Sequence, residues 1–298
     1  MTIFHGLSAF PITPTDEDGN VDTAALSGLV DRLSAAGVDS IGLLGSTGGY
    51  AYLARDQRRR AIDAAAKTVG GRTKLIVGVG ALRTDTAQSL ARDAENAGAD
   101  GLLLAPVSYT PLTEEEVYRH FVAVADATTL PLCIYNNPGT THFTFSPALL
   151  ARLATVANIR AVKMPLPASA DFAGETDQLR DAAPKGFAVG YSGDWGAADA
   201  LLAGADAWYS VVGGLLPGPA LRLTRAAQAG DVVETRRLDA LFQPLWSLFK
   251  QFGSIRVMYA AANELALTAA APPLPILPLS AADRCRVAAA LDFLNAEQ

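Results

Sequence analysis

The 298-residue chain is short of several things that would each announce a class of protein. Two cysteines, Cys133 and Cys285, are too few for a disulfide framework. Three histidines, His5, His120 and His142, fall at no metal-ligand spacing. No apolar run reaches the ~18 residues that would cross a membrane. The first residues lack the basic segment, apolar stretch and cleavage site of a signal peptide. Positive charge is scarce as well, with 24 Lys and Arg against 30 Asp and Glu and a net charge of −6. The longest basic run, Arg58-Arg59-Arg60, shares its helical stretch with Asp56 and Asp63 and reads as a solvated face. Nucleic-acid binding, which needs clustered Lys and Arg, is therefore not expected, nor is a membrane partner. A soluble protein of the reducing cytoplasm is.

Apolar residues, by contrast, are plentiful. A hydrophobic fraction of 50% with 18% charged residues supports a large buried core and argues against disorder. One short pattern recurs through it. Ala36-Gly37-Val38-Asp39, Ala97-Gly98-Ala99-Asp100 and Ala203-Gly204-Ala205-Asp206 each follow an alanine-rich stretch and precede an apolar run. A helix that ends on a glycine able to take positive φ, then turns into a buried strand, has this form. The apolar runs are continuous rather than alternating, as in a parallel sheet covered on both faces.

Eight such runs are expected strands: 6–10, 40–44, 75–79, 101–104, 132–135, 159–163, 187–191 and 207–211. Helical spacing of Ala, Leu and Val fills segments between them, such as 23–36, 56–69, 84–97 and 114–128. Eight β-helix units within about 230 residues indicate a (β/α)8 TIM barrel. A doubly wound open sheet would place a glycine-rich phosphate loop after its first strand. Here that loop runs from Pro11 to Gly19 with three acidic residues and no such motif. The expected organisation is a barrel over 1–230, then a C-terminal helical extension over 231–298, with helices at 231–250, 254–267 and 280–295.

In a barrel of this kind the chemistry lies at the C-terminal ends of the strands. Lys163 ends the sixth apolar run, whereas Lys67, Lys74, Lys185 and Lys250 are placed on helices or turns. Burial favours a free amine over an ammonium. A free amine attacks carbonyls to give a Schiff base, and the iminium then serves as an electron sink for bond cleavage or formation next to it. A strand-end charge held in water is the competing reading from position alone. The loop Gly45-Ser46-Thr47-Gly48-Gly49 can present backbone amides and two hydroxyls to a carboxylate, or it can be an ordinary turn. Tyr135, at the end of the fifth run, is placed to shuttle a proton, or to be an aromatic at the core edge. Tyr209, in the eighth run, is a candidate substrate contact, as are Tyr109 and Thr140.

Gly45-Ser46-Thr47-Gly48, Tyr135-Asn136-Asn137-Pro138-Gly139 and Lys163 occur in the order and spacing of the dihydrodipicolinate synthase/N-acetylneuraminate lyase family, which the chain resembles from about Leu7 to Pro278. Phe10-Pro11-Ile12-Thr13-Pro14, Ser192-Gly193-Asp194 and residues 115–121 are lesser echoes. The resemblance implies a class I aldolase in which Lys163 forms an imine with pyruvate or a related 2-oxo acid. It casts Tyr135 as the proton-shuttling tyrosine, Ser46 as a relay hydroxyl, and Thr47 with Gly48 as the carboxylate site. It also implies a homotetramer built from dimers, and no metal or organic cofactor, since the lysine supplies the electrophile.

Two departures bear on the second substrate. Synthases of the family carry Glu where this chain has Gly49, and Arg where it has Thr140. A threonine cannot hold a carboxylate with a bidentate, charge-assisted contact. The relay tyrosine after the fourth strand corresponds to Ser108 or Tyr109. These differences set the expectation that the chain is not a lysine-biosynthetic synthase but another aldolase of a 2-oxo acid. Dehydration or deamination of a sugar-derived 2-oxo acid through the same imine is one alternative. A non-catalytic barrel that only binds a 2-oxo acid is another.

Overall fold

The computed structural model describes residues 3–296. Eight parallel strands close into a barrel in sequence order: β1 (Gly6–Ala9), β2 (Ser40–Leu43), β3 (Lys74–Gly78), β4 (Gly101–Leu104), β5 (Leu132–Tyr135), β6 (Ile159–Met164), β7 (Ala188–Tyr191) and β8 (Ala207–Ser210). Around it run α1 (Thr23–Ala36), α2 (Arg55–Val69), α3 (Thr84–Asn96), α4 (Glu114–Ala125), the single turn α5 (Pro138–Thr141), α6 (Pro147–Ala154), α7 (Phe172–Asp181), α8 (Ala197–Leu202) and α9 (Pro217–Gln228). The chain continues into α10 (Val232–Phe252), α11 (Ser254–Glu264) and α12 (Ala281–Ala296). The expected (β/α)8 barrel is therefore the observed one, with strand ends shifted by a residue or so where ladder pairing stops.

The recurring Ala-Gly-x-Asp pattern does more than turn the chain. Gly37 ends α1 in the left-handed region at φ 79°, and its N–H bonds back to Leu33 and Ser34 carbonyls. The aspartate two residues later then reaches to the neighbouring strand. Asp39 accepts the Leu7 N–H at 2.7 Å, Asp100 that of Leu75 at 2.9 Å, and Asp206 that of Val189 at 2.8 Å. Each carboxylate satisfies a backbone donor where a strand enters the barrel, so the three repeats pin β1 to β2, β3 to β4 and β7 to β8 at their N-terminal ends. Each also meets a cation, respectively Arg225, Lys74 and Arg180.

Lys74 is thus the first residue of β3, not a helix or turn residue as expected. Its exposed side chain reaches Asp100 at the rim opposite the active end. Arg58 also departs from expectation. It lies on the core face of α2 with Ala61, Ile62 and Ala65, is only 7% exposed, and donates to the Gly80 carbonyl at 2.9 Å. The helical period, not membership of a charged run, decides which face each arginine takes. Two apolar layers result. One lies between strands and helices, and the other fills the barrel lumen with Phe10, Ile76, Leu103, Cys133, Tyr135 and Tyr209.

Candidate active site

Register places the central pair. In the β5–β6 ladder Tyr135 and Lys163 are direct partners, at the same height near the C-terminal ends of their strands. Lys163 is 3% exposed, and its Nζ lies 4.1 Å from the Tyr135 ring centroid, 4.3 Å from that of Phe10 and 5.7 Å from that of Tyr209. Phe10 fits because β2 and its loop leave room for it. A Cβ on Gly42 would come within 2.2 Å of the Phe10 ring, and one on Gly45 within 2.7 Å. Glycine at these positions is what allows an aromatic wall beside the amine. Lys163 takes part in none of the ion pairs found among the described residues.

A cavity of about 440 Å³ opens above the lysine. Ser46, Thr47, Tyr135, Thr140 and Lys163 all line it, so residues from three separate stretches of chain converge there. The Tyr135 hydroxyl is 3.2 Å from Ser46 Oγ and accepts from Asn137 Nδ2 at 3.0 Å. Thr47 Oγ1 lies 3.2 Å from Ser254 Oγ at the start of α11. A second cavity of about 390 Å³ shares Ser46, Thr47, Thr140 and Ser254 with the first and extends toward Tyr50 and Val107. Gly48 turns the chain after Thr47 and lines neither cavity.

Two expected substrate contacts are placed elsewhere. Tyr209 is fully buried below the lysine, with its hydroxyl 3.4 Å from Cys133 Sγ. It packs into the lumen cluster with Cys133, Ile76 and Leu103 and does not line the cavity. Complete burial pushes the Cys133 thiol up to about 12 and holds the Tyr209 phenol well above its usual range, so neither group ionises in the floor of the site. Tyr109 is 95% exposed and lines neither cavity, while Ser108 turns back to donate to the Thr110 carbonyl. Neither residue of that pair supplies a relay hydroxyl within this chain's own site.

The cavity also contains residues that sequence reasoning passed over. Asp194 is fully buried and accepts from Trp208 Nε1 at 2.9 Å, Val211 N at 3.1 Å and Val212 N at 2.7 Å. Burial pushes its carboxyl up to about 6, against these donors and the nearby Lys163, which pull it down. Ser192-Gly193-Asp194 was visible as an echo, but its role as a clamp between the loops after β7 and β8 was not. Leu166, Trp195 and Phe249 form an apolar wall. Phe249 and Ser254 come from the C-terminal helices, and no local signal marked them. Among the described residues no group of three His, Cys, Asp or Glu is arranged to hold a metal, and no helix is long and apolar enough to cross a membrane.

The dihydrodipicolinate synthetase family model matches residues 3–294. A 4-hydroxy-tetrahydrodipicolinate synthase of Laribacter hongkongensis is 37% identical over 286 residues, covering 95% of this chain and 96% of its own. A crystal structure of dihydrodipicolinate synthase from Agrobacterium tumefaciens superposes with a TM-score of 0.97 at 67% identity, covering 98% of each chain. The Acinetobacter baumannii dihydrodipicolinate synthase, solved with pyruvate bound, gives 0.90 at 29% identity over 99% of each chain. The expectation drawn from Gly49 and Thr140, that this is not such a synthase, finds no support in these relatives, which carry the synthase name. With the barrel, the lysine and the paired tyrosine in place, the chain belongs to the dihydrodipicolinate synthetase family of class I aldolase-type lyases.

Proposed function

We propose that the chain joins or cleaves a carbon–carbon bond at pyruvate or a related 2-oxo acid through an imine on Lys163. The observation that carries this is an amine buried among three aromatic rings, facing a cavity lined by hydroxyls. The Lys163 nitrogen adds to the 2-oxo carbon, the carbinolamine loses its oxygen as water, and an iminium remains. Loss of a C3 proton converts it to an enamine, whose C3 attacks the carbonyl of a second molecule. The reverse sequence cleaves. Tyr135, bonded to Ser46, supplies and removes the protons of these steps. Thr47 with its neighbouring backbone amides holds the carboxylate of the 2-oxo acid, and Thr140 faces the second reactant at the mouth.

The synthase names of the relatives and the pyruvate complex of the Acinetobacter protein support condensation of pyruvate with an aldehyde as the physiological direction. Tyr109, bare on the surface, completes the relay in a neighbouring subunit of a homotetramer built from dimers. Two unpaired cysteines, Cys133 and Cys285, suit the cytoplasm.

Borohydride reduction in the presence of pyruvate, read by intact mass and peptide mapping, tests the imine. The expected result is one reduced pyruvyl adduct on Lys163. Lys163→Ala should give none and show no turnover, with its circular dichroism unchanged. No adduct on the native protein, under conditions that trap a known family member, would favour a barrel that binds 2-oxo acids without catalysis.

A further inference from the structure

Among the described residues Lys163 is the single cationic side chain that lines the 440 Å³ cavity, and imine formation uses it. Beyond the imine, a bound molecule meets hydroxyls on one side and the apolar wall of Leu166, Trp195 and Phe249 on the other. The one carboxylate there, Asp194, is fully buried and committed to three N–H donors, so it neither offers nor cancels charge at the mouth. A cation on α10 stands beside that wall. Lys250 follows Phe249 in sequence, and its Nζ stands 5.8 Å from the centroid of the Trp195 ring. Trp195 is 39% exposed, so this ring forms the edge where the cavity opens to solvent.

Lys250 is exposed and enters none of the ion pairs found among the described residues. An indole face attracts an ammonium and limits where its long stem can swing, without neutralising it. The result is a positive charge steadied at the lip of an otherwise neutral passage. A chain extending from the imine along the apolar wall passes Trp195, the ring on which that charge rests.

We propose that Lys250, steadied by Trp195, is the specificity-determining residue that receives a second carboxylate at the far end of the substrate. The proposal rests on the imine reading for the near end of the molecule. It assigns the site to substrates with two anionic ends, a 2-oxo acid head and a carboxylate tail.

Calorimetric titration with matched pairs tests it without requiring turnover. 2-Oxoglutarate is compared with 2-oxopentanoate, and 2-oxoadipate with 2-oxohexanoate, on the native protein and on Lys250→Gln and Lys250→Arg. Native protein should bind the better-fitting diacid more tightly than its monocarboxylate partner, whose tail is neutral. Lys250→Gln should weaken that diacid about tenfold while the monocarboxylate partner holds its affinity, and Lys250→Arg should keep most of the discrimination. Added salt should weaken diacid binding in the native protein and have little effect on Lys250→Gln. Equal affinity for diacids and monocarboxylate partners, or diacid affinity unchanged in Lys250→Gln, overturns the proposal. Borohydride trapping of the same ligands on native protein reads the imine separately. Diacid binding that depends on Lys250 without any trapped adduct would overturn the imine and leave Lys250 its role.

Discussion

Tyr135 and Asp194 flank the same lysine with opposite kinds of influence. Tyr135 offers a hydroxyl already bonded to Ser46 and Asn137, so Tyr135→Phe removes the proton route and leaves the ring against Lys163. Turnover should fall by about 10²–10⁴, the usual worth of a positioned acid or base, while borohydride still traps an adduct. A rate within twofold of native would place the shuttle on another group. Asp194 acts through stability. Its carboxyl titrates near 3.8 in the unfolded chain and at about 6 when folded. Because the folded value is raised, the folded state binds the proton more tightly. The contribution of this group is therefore most favourable below pH 4 and is lost as pH rises through 6, a change of roughly 3 kcal/mol at most. Asp194→Asn cannot titrate, and its amide group leaves one of the three N–H donors unpaired at a cost of about 1–3 kcal/mol that does not vary with pH. Urea unfolding of the two proteins should then show their stability difference moving toward the variant between pH 4 and pH 7. A constant difference would mean that Asp194 is ionised throughout.

At the scale of elements, what could be read in advance was whatever repeats or has a period. The Ala-Gly-x-Asp pattern and the continuous apolar runs located all eight strands to within a residue or so, because burial on both faces leaves that pattern in any sequence. The same pattern did not disclose that its aspartates bridge to the adjacent strand, since that requires knowing which strands are neighbours. Lys163 and Tyr135 were legible because strand ends in this architecture face the site. Tyr209 was misplaced because an inward-facing strand residue can either line the cavity or pack into the lumen, and its hydroxyl is taken up by Cys133. Arg58 was misread for a related reason, as its buried face follows from helical phase and not from its charged neighbours. Phe249 and Ser254 were invisible. Ser254 meets Thr47 across 207 residues, and no local composition records such a meeting. The C-terminal helices therefore belong to the site as much as the barrel does, with α10 and α11 closing one side of it.

At the scale of the whole molecule, Tyr109 poses the sharpest question. A large aromatic left 95% exposed on the loop after β4 costs apolar hydration and contributes nothing to its own cavity. Leu82, on the loop after β3, is also largely bare. If dimers form through this end of the barrel, Tyr109 of one subunit completes the site of another, and catalysis becomes a property of the pair. Two variants separate this from a role within one chain. Lys163→Ala lacks the amine, and Tyr109→Ala lacks the relay phenol, so each alone should be nearly inactive. Dissociated together and allowed to reassociate, they should form mixed dimers in which one site has both Lys163 and a neighbour's Tyr109. About a quarter of native activity should return, because random pairing makes half the dimers mixed and each has one competent site. Recovery should follow reassociation by sedimentation, not simple mixing. No recovery despite mixed dimers would confine Tyr109 to its own chain, and full activity of Tyr109→Ala alone would remove it from the mechanism.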